Sequence, residues 1–153
     1  MLTDVLAPGE ITVDEIDRRS RSALAVPLLR FLKASLVDRV DGCWSIGLPP
    51  SPNALNAVDA LHGGVIATVL DVAAYLAVVP HLSSEEEAVT IAFAASYIAG
   101  APSGEQLRAS GSLIRRTQGL AFVGAELRSD SGLLAFANVT KAIRTSSATV
   151  LRG

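Results

Sequence analysis

The amino-acid sequence predicts an α+β domain in which an antiparallel sheet packs against one long central helix. An almost uninterrupted apolar run over residues 65–79 indicates a buried helix, which begins at a His-Gly-Gly turn and ends at Pro80. Two strand-like segments precede this run and four follow it. With 153 residues, the chain is long enough for one domain with a substantial core and too short for two.

The two ends of the chain differ from its middle. Residues 1–30 are predicted to be an N-terminal extension, in which Thr12 or Asp14 caps a short helix. Residues 31–145 are predicted to form the domain itself. Residues 146–153, rich in Ser and Thr, are expected to be a flexible tail.

The predicted strands follow segments in which apolar residues alternate or predominate. Asp41-Gly42 joins the first two strands and is typical of a tight hairpin turn. The last three strands are separated by short polar segments at 117–119 and 129–132. The six predicted strands cover residues 34–40, 43–48, 88–98, 106–116, 120–128 and 133–144.

Composition excludes several classes of function. The net charge is −2 and no run of Lys or Arg occurs, so nucleic acid is disfavoured as a partner. Cys43 is the one cysteine, which excludes an internal disulfide and a site with several thiolate ligands. The two histidines lack carboxylates at metal-ligand spacing, and no glycine-rich nucleotide loop occurs. We therefore expect neither a metal nor a cofactor.

Nothing in the sequence indicates export or membrane insertion. Residues 1–17 carry acids and lack the apolar core of a signal peptide. The apolar run over 65–79 is shorter than the roughly 18 residues that a membrane span needs, and it contains Asp71. We expect a cytoplasmic protein without a membrane span.

Asp71 lies in the middle of the apolar run, and a buried acid needs a partner or a function. At about 100° per residue, the non-aliphatic positions of the run fall within roughly a 60° stripe of the helix, which predicts a site on that face. These positions are Gly64, Thr68, Asp71 and Tyr75. At the helix start, free backbone N–H groups and the positive end of the dipole can receive a developing negative charge.

The spacing of these residues resembles that of the hotdog-fold acyl-CoA thioesterases of the PaaI (phenylacetate-pathway) type. In that family an Asn, a spacer, a hydrophobic residue and His-Gly-Gly precede an acid in the second turn of the helix. The matching residues are Asn56, Leu61, His62, Gly63, Gly64 and Asp71. A second match, a Ser or Thr seven residues before a Tyr in the third strand, is held by Thr90 and Tyr97.

The resemblance implies a hotdog fold, with the sheet wrapped around the helix, and hydrolysis of an acyl-CoA thioester to a free acid and CoA. Asp71 would be the nucleophile or the general base. The backbone N–H of Gly63 would hold the carbonyl oxygen, which gains negative charge in the transition state. Asn56 would orient the water or the carbonyl, and Thr90 would reach the water from the opposite subunit.

The resemblance also implies shared active sites in a homodimer, or in a homotetramer of two such dimers. The helix start and the polar stripe would then contact the acyl-CoA substrate. The residues assigned to substrate binding are His62, Gly64, Thr68 and Tyr75, and His62 would also shape the turn.

Alternative roles stay open for the residues assigned to catalysis. Asn56 can be a turn residue of its loop, and Thr90 can be a strand residue with high β propensity. Asp71 can be a buried acid whose hydrogen bonds come from Thr68 or Tyr75.

One departure from the family pattern motivates a second hypothesis. The spacer before the His-Gly-Gly turn has Asp59 where the family usually has glycine. A non-catalytic acyl-CoA-binding hotdog protein is therefore the second hypothesis, and a hotdog hydratase or dehydratase is the third. The identity of the acyl group, the choice between dimer and tetramer, and the choice between nucleophile and base stay open.

Overall fold

The computed structural model describes residues 11–101 and 104–145. One long helix lies against a six-stranded antiparallel sheet, so the predicted α+β hotdog architecture is confirmed. The predicted tail, residues 146–153, lies outside the described residues. The elements are α1 (Val13–Leu24), α2 (Pro27–Phe31), β1 (Ser35–Val40), β2 (Cys43–Leu48), α3 (Gly63–Val78), β3 (Glu86–Tyr97), β4 (Leu107–Arg116), β5 (Leu120–Ser129) and β6 (Gly132–Thr145).

The strands lie in the order β1-β2-β4-β5-β6-β3, and each neighbouring pair runs antiparallel. β3 follows α3 in the chain but pairs only with β6, so it forms one edge of the sheet. The Asp41-Gly42 turn joins β1 to β2 as predicted, with φ of 50° and 79°. Both residues tolerate this left-handed conformation, which matches the twist of a two-residue hairpin.

α3 supplies the centre of the core. It is apolar almost all round, and its buried positions face the inner side of the sheet. Its buried residues are Ile66, Val69, Leu70, Ala73, Ala74, Leu76, Ala77 and Val78. At Gly111 of β4 the helix lies so close that an added Cβ would overlap the carbonyl oxygen of Ala73 and lie 3.0 Å from the Cβ of Ala77.

Two short helices precede the sheet. The hydroxyl of Thr12 caps α1 by accepting a hydrogen bond from the Glu15 amide at 3.2 Å, as the sequence predicts. Pro27 stands in the first turn of α2, a helix that the sequence analysis missed. Proline suits that position because its φ is helical and its missing N–H would have no partner there. The side chain of Arg19 joins α1 to the turn before β3 by donating to three backbone carbonyls.

The helical segment Gly63–His81, which combines α3 with a following 3₁₀ turn, is 19 residues long and apolar enough to cross a membrane by length and composition. It is longer than the apolar run in the sequence because the helix begins at the two glycines and continues through Pro80. Half of the segment is buried in the protein. The buried half packs under the sheet.

Close packing at Gly111 yields a prediction for stability. Gly111→Ala should lower the free energy of unfolding by about 1–3 kcal/mol, because the new methyl group must displace the α3 backbone. Urea denaturation monitored by circular dichroism measures the change. Gly119→Ala is the matched control, since an added Cβ there meets nothing within 4 Å. Equal stability of the two variants would contradict the packing argument.

Candidate active site

Asp71 does not stand alone on α3. Its Oδ1 accepts a hydrogen bond from the Thr90 hydroxyl at 2.6 Å and forms an ion pair with the Lys141 ammonium at 3.1 Å. The same ammonium donates to the Thr90 oxygen at 2.6 Å. Because an ammonium can only donate, the directions are unambiguous: Lys141 donates to Thr90, and Thr90 donates to Asp71. We call these three residues the Asp71 cluster.

The two charges of the cluster differ sharply in exposure. The Lys141 side chain is 2% exposed, whereas the Asp71 side chain is 39% exposed. Burial lowers the pKa of the Lys141 ammonium, and the charge and hydrogen bond of Asp71 oppose part of that shift. The cluster therefore places a cation inside the protein and its carboxylate partner at the surface of α3.

Sequence reasoning missed Lys141, although a signal was present. Alternate residues of β6 point into the core, and Lys141 falls on that inward phase. The other inward residues of the strand are Ala135, Ala137, Val139 and Ile143. A lysine at an inward position of an otherwise apolar strand requires a counter-charge, and strand periodicity alone could have pointed to it.

A β-bulge at Ile91 turns Thr90 toward Asp71. The register of β3 against β6 shifts between Thr90 and Ala92, so Ile91 is an extra residue with an exposed side chain. Without the bulge, residues seven apart would lie on opposite faces of a strand. With it, Thr90 and Tyr97 both reach α3, because the Tyr97 hydroxyl donates to the Gly63 carbonyl at 3.2 Å.

The position of Thr90 corrects one prediction. The family resemblance implied that Thr90 would enter the site from the opposite subunit, but its hydroxyl bonds Asp71 of its own chain. The reason is the order of the sheet, in which β3 pairs with β6 of the same chain and lies beside α3. Thr68, which was the first alternative hydrogen-bond donor to Asp71, donates instead to the Gly64 carbonyl at 2.8 Å.

Tyr75 lies one turn beyond Asp71, with no hydrogen bond to it. Burial raises the pKa of the Tyr75 hydroxyl, and the negative charge of Glu87 adds to this shift. Glu87 stands at the start of β3, and the charges of Glu15, Arg18 and Arg19 on α1 also act on Tyr75. Tyr75 therefore faces the junction of α1 and β3, while Thr68 is engaged within its own helix.

The two glycines at the start of α3 differ in the hydrogen bonds of their backbone amides. The His62 Nδ1 accepts the Gly64 amide at 2.9 Å and so caps α3. Within the described residues, the Gly63 amide has no acceptor. The atoms nearest to an added Cβ at Gly63 would be those of the Tyr97 side chain, at an ordinary 3.6 Å, so packing does not demand glycine there. The amide of Gly63 is a free donor at the positive end of a helix.

Asn56 is engaged in the loop before the helix. Its side-chain oxygen accepts the amides of Val58 and Ala60 at 3.0 and 3.1 Å. This arrangement is typical of an Asx turn and leaves only the side-chain NH₂ group for another partner. Asp59, in the same loop, has φ of 57°. Glycine adopts this left-handed conformation most easily and Asp tolerates it, which accounts for Asp59 where the family usually has glycine.

The Asp71 carboxylate and the Gly63 amide are too far apart to act on one carbonyl group within a single chain. Eight residues of helix separate them, which is about 12 Å of rise. Attack on a carbonyl carbon requires the nucleophile and the oxygen donor each within about 3 Å of adjacent atoms. No group of three or more His, Cys, Asp or Glu side chains placed to hold a metal ion occurs in the described residues.

Comparison with known proteins gives the class. The family model described as Thioesterase superfamily matches residues 59–136, just over half of the chain. The chain therefore belongs to the thioesterase superfamily. The match includes α3, Asp71 and Thr90, whereas Asn56 and Lys141 lie outside it. No curated protein sequence matches the chain.

Solved structures share the fold at low sequence identity. A thioesterase family protein from Silicibacter pomeroyi has a TM-score of 0.77 at 17% identity, over 86% of this chain and 99% of that one. A Bacillus halodurans protein crystallised with CoA has a TM-score of 0.72 at 24% identity, over 86% and 85% of the two chains. A putative thioesterase from Ralstonia eutropha, described as phenylacetic acid degradation-related, has a TM-score of 0.72 at 24% identity, over 83% and 98%.

The left-handed backbone at Asp59 yields a test of its role. Asp59→Gly should match or exceed the stability of the natural chain, whereas Asp59→Val should lose about 1–2 kcal/mol, because a β-branched side chain is disfavoured at positive φ. Thermal unfolding of the two variants measures the difference. Equal melting temperatures would contradict the conformational explanation.

The asymmetry of the Asp71 cluster predicts a pH-dependent loss of stability. Asp71→Asn removes the counter-charge of a buried ammonium and should cost about 1–3 kcal/mol at neutral pH, less than a fully enclosed pair. The folded-state pKa of Lys141 lies below its usual 10.5, so the unfolded chain binds this proton more tightly. Without Asp71, which opposes this shift, the pKa of Lys141 falls further in the folded variant. The stability of the variant should therefore rise relative to that of the natural chain as the pH approaches 10.5 and Lys141 loses its proton. A loss independent of pH in urea denaturation would contradict the pairing.

Proposed function

We propose that the protein hydrolyses acyl-CoA thioesters to a free acid and CoA, with Asp71 as the nucleophile or the general base. The observation that carries the proposal is the Asp71 cluster, which holds one carboxylate oxygen by two donors and leaves the other, Oδ2, without a described partner. Membership of the thioesterase superfamily supports the reaction class. The Bacillus halodurans neighbour crystallised with CoA supports CoA as the carrier, and the PaaI type is part of the proposal.

Each role uses a group whose chemistry suits it. The Gly63 amide donates to the thioester carbonyl oxygen, which gains negative charge as the tetrahedral intermediate forms. As a base, Asp71 takes a proton from water while the water oxygen bonds to the carbonyl carbon. As a nucleophile, Asp71 bonds to that carbon, and water then hydrolyses the resulting anhydride. In both routes the C–S bond breaks, and CoA leaves as a thiolate that takes a proton from solvent.

The separation of Asp71 from Gly63 supports a site shared by two copies of the chain. Because about 12 Å of helix rise lies between them, the carboxylate of one copy needs the helix start of another. β3 is an edge strand with exposed apolar side chains, Val89 and Ile91, and is suited to pair with a second copy. We propose a homodimer, or a homotetramer of two dimers, in the cytoplasm.

The remaining sequence-predicted residues keep proposed roles of different kinds. His62 and Gly64 shape the helix start, and Thr90 positions the carboxylate from its own chain. The free NH₂ group of Asn56 is left to contact water or the carbonyl. Thr68 and Tyr75, both half-buried on α3, stay proposed as substrate contacts. Their hydroxyls do not bond the Asp71 cluster.

The main observation for a non-catalytic binding protein was Asp59 in place of glycine. Its left-handed φ accounts for that residue without reference to catalysis. Hydrolysis is therefore the function that the site supports best, and no observation on the described residues favours hydration of a double bond.

A panel of acyl-CoAs, with release of the CoA thiol as the readout, tests the function. The natural chain should turn over at least one member, and Asp71→Asn should lower kcat by about 10²–10⁴-fold, because the base or nucleophile is lost. A double variant, Asp71→Asn with Lys141→Met, removes the unpaired cation and should be folded yet inactive. Its folding shows that lost activity does not come from lost structure.

Two outcomes would overturn the proposal. The first is a folded Asp71→Asn protein that hydrolyses the panel at the natural rate. The second is tight binding of acyl-CoA by the natural chain, measured by calorimetry, with no turnover of any member, which would favour the non-catalytic reading. Enoyl-CoA hydration measured on the same samples distinguishes the hydratase reading.

A further inference from the structure

We propose that Lys141 is a positioning residue for the reaction: together with Thr90 it holds Oδ1 of Asp71, so that Oδ2 is the one carboxylate oxygen presented to the substrate. This inference rests on the proposed function and extends it to a residue outside the part of the chain that matches the thioesterase family model. Lys141 is 2% exposed and cannot itself reach a bound substrate. Its action on the reaction must pass through Asp71.

The geometry gives the carboxylate a defined orientation. Two donors, the Lys141 ammonium at 3.1 Å and the Thr90 hydroxyl at 2.6 Å, converge on Oδ1. The contact of 2.6 Å between the two donors makes them one unit, since Lys141 also orients the Thr90 hydroxyl. A carboxylate held through one oxygen cannot exchange its two oxygens without breaking both bonds. Oδ2 is then the carboxylate oxygen left without a described protein partner.

A lysine at position 141 contributes less to the stability of the fold than an aliphatic residue would. Placing an ammonium in an apolar interior carries a desolvation cost that an ion pair only partly offsets. The other inward positions of β6 are occupied by Ala, Val and Ile side chains, which carry no such cost. An aliphatic residue at 141 would satisfy the core equally well. The benefit of a lysine at this position therefore lies in its contact with Asp71, the one carboxylate that it contacts among the described residues.

Few charged or titratable groups among the described residues lie near the pair of Lys141 and Asp71. On α3, Tyr75 lies one turn from Asp71 and faces the junction of α1 and β3, where the charge of Glu87 acts on it. From β3, Thr90 faces the cluster. From β5, the neighbour of Lys141 is the buried Ala121, which has no titratable group. Among the described residues, the Lys141 ammonium is thus the one cation bonded to the Asp71 carboxylate.

Lys141→Met tests the inference because Met has a similar length and no charge. We expect kcat to fall by about 10–100-fold with KM within about threefold of the natural value, because a misdirected nucleophile affects the chemical step more than binding. Steady-state kinetics measures kcat and KM separately.

Two further variants sharpen the experiment. Lys33→Met makes the same substitution at the other lysine of the chain, which lies exposed between α2 and β1, and should leave kcat and KM unchanged. Thr90→Val removes the second donor to Oδ1. The double variant of Thr90 and Lys141 should lose less kcat than the product of the single losses, because both donors act on the same oxygen.

Clear outcomes separate this inference from the proposed function. A natural chain without thioesterase activity would overturn both. An active natural chain and an inactive Asp71→Asn, with Lys141→Met unchanged in kcat, would overturn only the role of Lys141. If Lys141→Met and Lys141→Gln both unfold extensively and their folded fraction, quantified by gel filtration, turns over at the natural rate, Lys141 serves stability alone and the inference is wrong.

Discussion

One apolar helix, α3, is covered by the sheet on one side only, and the other features of this protein depend on this constraint. α3 is buried where it meets the sheet, and its close approach to β4 is possible because Gly111 has no side chain. One sheet can cover only part of a cylinder. The stripe of α3 that carries Gly64, Thr68, Asp71 and Tyr75 therefore has no fully buried residue. Polar side chains are tolerated there.

The Asp71 cluster lies at the boundary between that covered side and the open stripe. A carboxylate that is 39% exposed can interact with water or substrate, while its counter-ion at 2% exposure is shielded from both. This arrangement separates the carboxylate proposed to react from the ammonium that holds it. The bulge at Ile91 is part of the same design, because it allows Thr90 to join the cluster while Tyr97 still contacts the helix start.

The helix start shows how neighbouring residues divide structural and chemical tasks. His62 uses its ring nitrogen to satisfy the Gly64 amide, so the cap is complete without the Gly63 amide. The loop that leads there is closed by Asn56, whose side-chain oxygen accepts two backbone amides, and turns at Asp59. Residues that resemble a catalytic motif thus include some that build the turn and one, Gly63, whose amide is left free to receive a ligand.

The sequence by itself determined the fold class, the strand boundaries to within about two residues and the position of the helix, because period-two and apolar patterns are local properties of the chain. It also located Asp71 and the His-Gly-Gly turn. Tertiary structure decided which groups meet. Thr90 joins Asp71 of its own chain through a bulge, and Lys141, 70 residues away in sequence, supplies the counter-charge. Such contacts depend on strand order and register, which no local pattern encodes.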